Sequence, residues 1–401
     1  MPFVQMPSEI LRLGCPAPVS VRDEKGHLLI RKGTLVTTEE QRLRLVSRTL
    51  YVDESEGEQL KRVLSGQLDQ LLRQNTALGE VARTQADASV LLGAPPPARK
   101  PLPPVAAWAH LQMTAAVLLR EPMPEHFHAR VLQLQDEVLA QLDAEPNHAL
   151  LILVNLAASD PHQQHATQAL LVTVLCELAA RSLDAIAPEQ RASLRAAALT
   201  HHMALAGVTD QLALQDAPAS APQQAKIDAH VARALQCLRS AGVDDEFWLE
   251  AVALHHQAAP GPLAELPPGL AMARLIDAGD RFAQTLSVRK SRPAPPAAEA
   301  LRSICRSGQQ LDEAGAALLK TIGLYPPGSY VRLASGEVGL VIKRGTDPGA
   351  PKVASLIGRS GSALGEPLVR DTRLPAHAPA ESVAPHEVRV RLNMEKMVLL
   401  G

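Results

Sequence analysis

Residues 197–208 read AALTHHMALAGV, with His201 and His202 closing an Ala- and Leu-rich run. The residues beyond that pair decide the fold. Downstream come His230 in IDAHVARAL (227–235), His255 and His256 in EAVALHHQ (250–257), and Asp280 in AMARLIDAGDRFAQTLSVRKSR (271–292). Each lies inside or beside a segment with apolar residues at three- and four-residue intervals, the helical period. Imidazole nitrogens and carboxylate oxygens are the usual ligands of first-row divalent metals, which activate water against phosphate esters. The gaps exceed one helical turn, so a shared site needs four helices to bring their ends or faces together. A structural reading competes: with 14 histidines in 401 residues, chance alone gives roughly half of one adjacent pair. Neighbouring helical residues also diverge by about 100°, so a pair need not serve one site.

Outward from this stretch the helical period continues. Segments near 105–120, 124–143, 147–158, 163–181, 188–206, 223–240, 244–257, 267–287, 296–306 and 311–322 predict consecutive helices. Ser, Pro, Asp and Gly clusters join them, which implies an all-α globule. From Pro326 the period changes to two: SYVRLASGEVGLVIKR (329–344) predicts a hairpin turning at Ser335-Gly336. PKVASLI (351–357) and HEVRVRL (386–392) are candidates for further strands.

On the other side, GAPPPARKPLPP (93–104) places six prolines in twelve residues, a semi-rigid linker and the expected domain boundary. Before it, residues 58–92 carry an apolar stripe of Leu60, Val63, Leu64, Leu68, Leu71 and Leu72, a connector helix or half of a coiled-coil contact. At the start, PVSVRD (18–23) and HLLIRKGTLV (27–36) flank Glu24-Lys25-Gly26 like a hairpin. A helix opened by Thr37, with Glu40 at capping-box spacing, and a strand in TLYVDE (49–54) come next. The fold class is therefore mainly α: a helical bundle domain with a small N-terminal α+β module and a small C-terminal β module. The expected division is 1–56 α+β module, 57–92 connector helix, 93–104 linker, 105–325 helical domain and 326–401 β-rich module.

Composition excludes several classes. A net charge of −2 offers no general attraction to nucleic acid or anionic membrane, and 2% aromatics leaves few stacking platforms for single strands. Cys15, Cys176, Cys237 and Cys305 lie far apart with no CxxC, which reads as reduced thiols in a cytoplasmic protein. MPFVQMPSEILRLG lacks the basic start and apolar run of a signal peptide. The most apolar run, ALLILVNLAA (149–158), is much shorter than the roughly 20 residues a membrane span requires. A soluble protein is expected, without nucleic-acid or membrane partners.

Taken in order, the quoted pieces around the histidines resemble the HD-GYP branch of the HD phosphohydrolases. The resemblance continues into IGLYPPGSYVRLASGEVGLVI (322–342) and covers about residues 148–345. More weakly, the N-terminal strand, KG turn, short helix and LYVDE resemble a piece attached to some members. The resemblance implies a helical HD-type bundle, a divalent metal such as iron or manganese, and hydrolysis of the bacterial second messenger cyclic di-GMP.

Within the resemblance, His201 matches the histidine of the family's His-Asp pair, but the aspartate position holds His202. A carboxylate can join two cations through its two oxygens, whereas a neutral imidazole binds one metal with one nitrogen. The family's Gly-Lys after the pair appears as Ala204-Leu205. His230, His255-His256 and Asp280 match the later histidine, the His-His pair and the late aspartate. QAAPGPLAELPPG (257–269) stands where the family has its Gly-Tyr-Pro loop and contains no tyrosine. His165 fits a histidine that opens a core helix in the family; the glutamate before it has no counterpart beyond Asp160. The expected metal ligands are thus His201, His230, His255, His256 and Asp280, with His165 and His202 as additional candidates. The expected role is bacterial second-messenger signalling with impaired or lost catalysis, binding cyclic di-GMP, another nucleotide or a signalling protein. The alternatives are an active phosphohydrolase on another phosphate ester and a metal-free helical adaptor.

Overall fold

The computed structural model describes residues 3–6, 17, 19–24, 26–32, 34, 45, 49–54, 56–58 and 102–401, apart from 123, 258–260 and 308–309. The chain divides into two compact units, Met1–Pro101 and Leu102–Gly401. The connector-helix stripe, the Thr37 helix, Lys25, Cys15 and most of the Pro-rich linker lie outside the described residues.

In the first unit, β1 (Phe3–Met6), β2 (Val21–Arg22), β3 (Leu28–Ile30) and β4 (Leu50–Asp53) form one sheet in the order β1-β4-β2-β3. The expected hairpin is the β2–β3 pair, with Gly26 at φ 83° in its turn, a conformation that glycine adopts without a Cβ penalty. TLYVDE is the central strand β4, and the unexpected β1 pairs antiparallel with it. Val19, Val21, Ile30, Leu50 and Val52 are buried, giving this unit its own small core.

The second unit is mainly helical: α1 (Pro104–Arg120), α2 (Pro124–Ala144), α3 (Pro146–Ser159), α4 (Gln164–Ala180), α5 (Arg191–Thr200), α6 (Ala206–Leu214), α7 (Ala221–Asp228), α8 (His230–Ser240), α9 (Glu246–Leu254), α10 (Pro268–Leu286) and α11 (Ala297–Ile304). A two-stranded ribbon of β5 (Arg306–Ser307) and β6 (Gln310–Leu311) leads into α12 (Glu313–Ile322). Every residue of α4 is buried, as befits a helix apolar on nearly all sides at the centre of a bundle. α5, α10, α3 and α1 pack around it, with Trp108, Phe127, Trp248 and Phe282 as the bulkiest buried side chains. Inside, Glu177 on α4 is paired, accepting from Arg195 at 2.8 Å and Arg181 at 2.9 Å.

Two expected helices differ. The segment 188–206 ends as a helix at Thr200, and the separate α6 begins after a 3-10 turn at Met203–Leu205. The segment 223–240 is two helices meeting at Ala229. Both breaks fall beside histidines of the candidate site.

The β module is a five-stranded antiparallel sheet, ordered β10 (Ala363–Asp371), β9 (Lys352–Ile357), β8 (Val338–Lys343), β7 (Tyr330–Leu333), β11 (Pro379–Val383). The β7–β8 hairpin turns at Gly336 as expected, with φ 85°. HEVRVRL is not a strand: Pro385–Glu387 forms a 3-10 turn, and Val388 and Leu392 pack against the helical core without a neighbouring strand to pair with. The edge is filled instead by β11, and α13 (Met394–Leu400) closes the chain. The sheet and the helices share one hydrophobic core, in which Tyr330, Leu340 and Met397 join residues of α3 and α4. Gly328, at φ 94°, touches the α3 backbone so closely that a Cβ would stand 2.7 Å from the Leu151 carbonyl oxygen. Among the described residues no helix is long and apolar enough to cross a membrane.

Candidate metal centre

Three helix ends and one helix face converge. His201 comes directly after the last residue of α5 and His202 is next; His230 opens α8; His255 comes directly after α9, with His256 beyond it; Asp280 projects from α10. Local sequence fixes these ends. Asp245 caps the start of α9 by accepting the Trp248 backbone N–H at 3.0 Å, and Trp248 then donates its indole N–H to Thr200 at 2.8 Å. That bond ties α9 to the last turn of α5, one residue before His201.

The rings are oriented alike. His201, His230 and His255 each direct Nδ1 at the carbonyl oxygen three residues back, Ala198 at 2.8 Å, Ile227 at 2.6 Å and Val252 at 2.8 Å. A carbonyl only accepts, so Nδ1 carries the proton and Nε2 of the neutral ring presents a lone pair. His230 Nε2 stands 3.4 Å from His255 Nε2 and 3.2 Å from His256 Nε2. His230 and His255, both protonated on Nδ1, cannot hydrogen-bond through facing Nε2 atoms, and a cation between them would satisfy both lone pairs. His256, whose Nδ1 is not fixed by a carbonyl, can instead donate Nε2–H to His230. The spacing fits a cation: two nitrogens about 2.0–2.1 Å from a shared four-coordinate ion lie about 3.4 Å apart.

Protonation also suits a cation. Burial holds the His255 ring down to about 2, with the neighbouring imidazoles His201, His202 and His256 adding to the effect. Burial likewise lowers His202 to about 4, against the raising effect of Asp280. His230 and His256 are lowered too, chiefly by burial. For Asp280 burial acts upward, but His202 and His201 outweigh it and hold the carboxyl well below its usual range. Near neutral pH His202, His230, His255 and His256 therefore present neutral nitrogens and Asp280 a carboxylate, the forms that bind metal.

Asp280 Oδ1 lies 3.4 Å from His201 Nε2 and 3.3 Å from His202 Nδ1. Neither approach has hydrogen-bond geometry, and Oδ1 and His201 Nε2 are both buried without a hydrogen-bond partner. The other oxygen, Oδ2, accepts from Gln284 at 2.6 Å. Ligand-type atoms fall into two groups, His202, His230, His255, His256 and His201, His202, Asp280, each within 4.8 Å. His256 is exposed, so the cluster reaches solvent on that side.

Six of the seven candidates from the sequence are thus brought together. His165 is placed elsewhere: its Nδ1 lies 2.8 Å from Asp210 Oδ2 and its Nε2 3.2 Å from the Ala116 carbonyl. Both ring nitrogens are engaged, and His165 belongs to neither ligand group. Asp210 on α6 also accepts the His165 backbone N–H at 3.1 Å and pairs with Arg120. Sequence reasoning missed Asp210, Thr200 and Gln284; only the Gln284 spacing, four residues after Asp280 on one helix, carried a local signal.

No family model matches the chain. It is similar to cyclic di-GMP phosphodiesterase PA4108 of Pseudomonas aeruginosa, 28% identical over 223 residues, which is 54% of this chain and 52% of that protein. The chain thus spans about half the length of that curated relative. Among solved structures it resembles Bd1817, a HDG"Y"P protein from Bdellovibrio bacteriovorus, with 16% identity and a TM-score of 0.42, covering 80% of this chain and 99% of that one. With His201, His202, His230, His255, His256 and Asp280 gathered in one place, the chain is similar, over about half its length, to a cyclic di-GMP phosphodiesterase.

Proposed function

We propose that this protein acts in bacterial second-messenger signalling as an HD-GYP member whose hydrolytic centre is impaired or lost. In this reading it binds a divalent metal ion, and binds cyclic di-GMP, another nucleotide or a signalling protein instead of turning substrate over efficiently. The observation that carries the reading is His202, which lies inside the ligand cluster at the position of the bridging carboxylate. A divalent cation supplies Lewis acidity toward water and phosphoryl oxygens. In the two-metal arrangement both the attacking and the leaving oxygen are stabilised by ions held close together. Here Asp280 is the one carboxylate in the ligand groups among the described residues, and it is engaged by Gln284 through its other oxygen. The residues candidate for holding an ion are His201, His202, His230, His255, His256 and Asp280.

The missing lysine at Leu205 and the tyrosine-free segment 257–269 point the same way, because each removes a group that could meet phosphate charge. One rival has a specific observation in its favour: His202 is itself within ligand distance of the other histidines, so a working phosphohydrolase on a different phosphate ester is the second reading. Metal content of protein purified without chelator, and then hydrolysis assays with added Mn²⁺ or Fe²⁺, test both. Turnover of cyclic di-GMP at a few per second would overturn the first reading, since ordinary enzymes work in that range. Absence of any bound metal would leave the metal-free adaptor.

A further inference from the structure

His202 belongs to both ligand groups, yet a neutral imidazole gives one lone pair to one ion. The two groups are therefore alternative seats, and their consequences differ. An ion seated with His201, His202 and Asp280 would leave the Nε2 lone pairs of His230 and His255 facing one another at 3.4 Å with nothing between them. An ion seated with His202, His230, His255 and His256 removes that conflict. If His202 gives Nε2 to this ion, its proton sits on Nδ1, which lies 3.3 Å from the partnerless Asp280 Oδ1. The contact lacks hydrogen-bond geometry as it stands, and a turn of the His202 ring is needed to bring its Nδ1–H onto that oxygen.

Resting on the reading that the cluster binds a divalent ion, we propose that this chain holds one ion per molecule in a four-nitrogen seat of His202, His230, His255 and His256. Asp280 is a positioning residue: it accepts the Nδ1–H of His202 and fixes that ring's tautomer and direction. Carboxylates commonly orient metal-binding histidines in this way, and losing such a partner costs about 10–100-fold in affinity. Three of the four rings then obey one rule, with His230 and His255 held through Nδ1 by backbone carbonyls and His202 by a side chain. His201 stays outside the seat, its Nε2 on the other side of the same Asp280 oxygen.

The donor set has two chemical consequences. Four imidazoles favour zinc, nickel or copper over manganese, which prefers oxygen ligands. Four protein ligands also close the coordination sphere, whereas catalytic sites keep one position open. The seat then locks α8 and α9 to the segment after α5, and its role is structural.

The test uses the full chain stripped of metal and titrated with Zn²⁺, with bound ions counted by elemental analysis and affinity measured by calorimetry. One zinc per chain is expected. Asp280→Asn, whose amide oxygen accepts the same bond, should stay within about threefold of wild type, and Asp280→Ala should weaken binding about 10–100-fold. His202→Ala should weaken it at least as much as Asp280→Ala. Two ions per chain, or Asp280→Asn as damaging as His202→Ala, overturns the proposal. Wild type loaded with Co²⁺ gives an answer that does not depend on any variant folding: four-coordinate cobalt absorbs visible light strongly and six-coordinate cobalt faintly. A faint spectrum with cobalt bound overturns the four-nitrogen seat alone. Failure of wild type to bind zinc or cobalt at all removes the metal reading on which it rests.

Discussion

Replacing Asp210 by Ala should destabilise the helical unit without touching the metal cluster. Asp210 accepts the buried backbone N–H of His165, receives its Nδ1 at 2.8 Å, and pairs with Arg120. The His165 side chain is only 4% exposed, so solvent cannot replace the lost acceptor. Two buried groups left unsatisfied cost about 1–3 kcal/mol each, and incomplete relaxation puts the total at about 2–4 kcal/mol. Arg120 adds little, because it is half exposed and its pairing is screened by solvent. For a unit of this size, Leu102–Gly401, the loss corresponds to a fall in Tm of roughly 3–6 °C. Burial alone would raise the Asp210 carboxyl, but its bonds to His165 and the charge of Arg120 bring it below its ordinary value. A lowered folded pKa means the extra stability is fully present above the ordinary carboxylate range and is lost as pH falls through the folded value. Thermal melts of wild type and Asp210→Ala at pH 7, and then at intervals below pH 4, read both effects. Equal melting at pH 7, or a gap that stays unchanged down to pH 2, would show that the Asp210 contacts do not hold His165 as described.

The site and the domain boundary give three further expected outcomes. The double variant His255→Ala, His256→Ala should lower bound metal sharply in elemental analysis, since it removes two nitrogens of the cluster; equal metal content would refute the site. Cyclic di-GMP hydrolysis should be absent or very weak in wild type, and His202→Asp should raise it only in part, because Leu205 and the tyrosine-free loop remain; full activity in this variant would show the bridge to be the whole defect. A chain beginning at Leu102 should keep its helical circular dichroism and its metal content if the Pro-rich stretch separates independent units. Aggregation, or a melt about ten degrees lower, would mean that residues before Leu102 support the helical unit.

The parts legible in the sequence are those with a strong local period. α1–α4 and α10 repeat apolar residues at three and four for many turns, and the β7–β8 hairpin alternates around Ser335-Gly336. The order of His201, His230, His255 and Asp280 is legible as a constellation, although its closure depends on tertiary packing. The parts that escaped have weak or misleading local patterns. β10 is largely exposed along its length and carries Pro367 at a register shift, so it shows no alternation of apolar residues. HEVRVRL alternates well but has no strand beside it, and period alone cannot supply a partner. The fate of His165 is invisible in the sequence because Asp210 lies 45 residues away and nothing near His165 announces it.

The Nδ1 contacts of His201, His230 and His255 have a second meaning. Their acceptors, Ala198, Ile227 and Val252, lie in the final turns of α5, α7 and α9. In an α-helix the carbonyls of the last turn have no amide partner and must find another donor. Each ring is therefore a C-terminal cap as well as a candidate ligand, and three of the site's histidines end the helices that bring them together. A histidine here can remain useful to the fold after the chemistry beside it has gone. Its presence alone is weak testimony to activity, and a lower melting temperature after its removal is weak testimony to a metal. Only a measurement that counts ions separates the cap from the ligand.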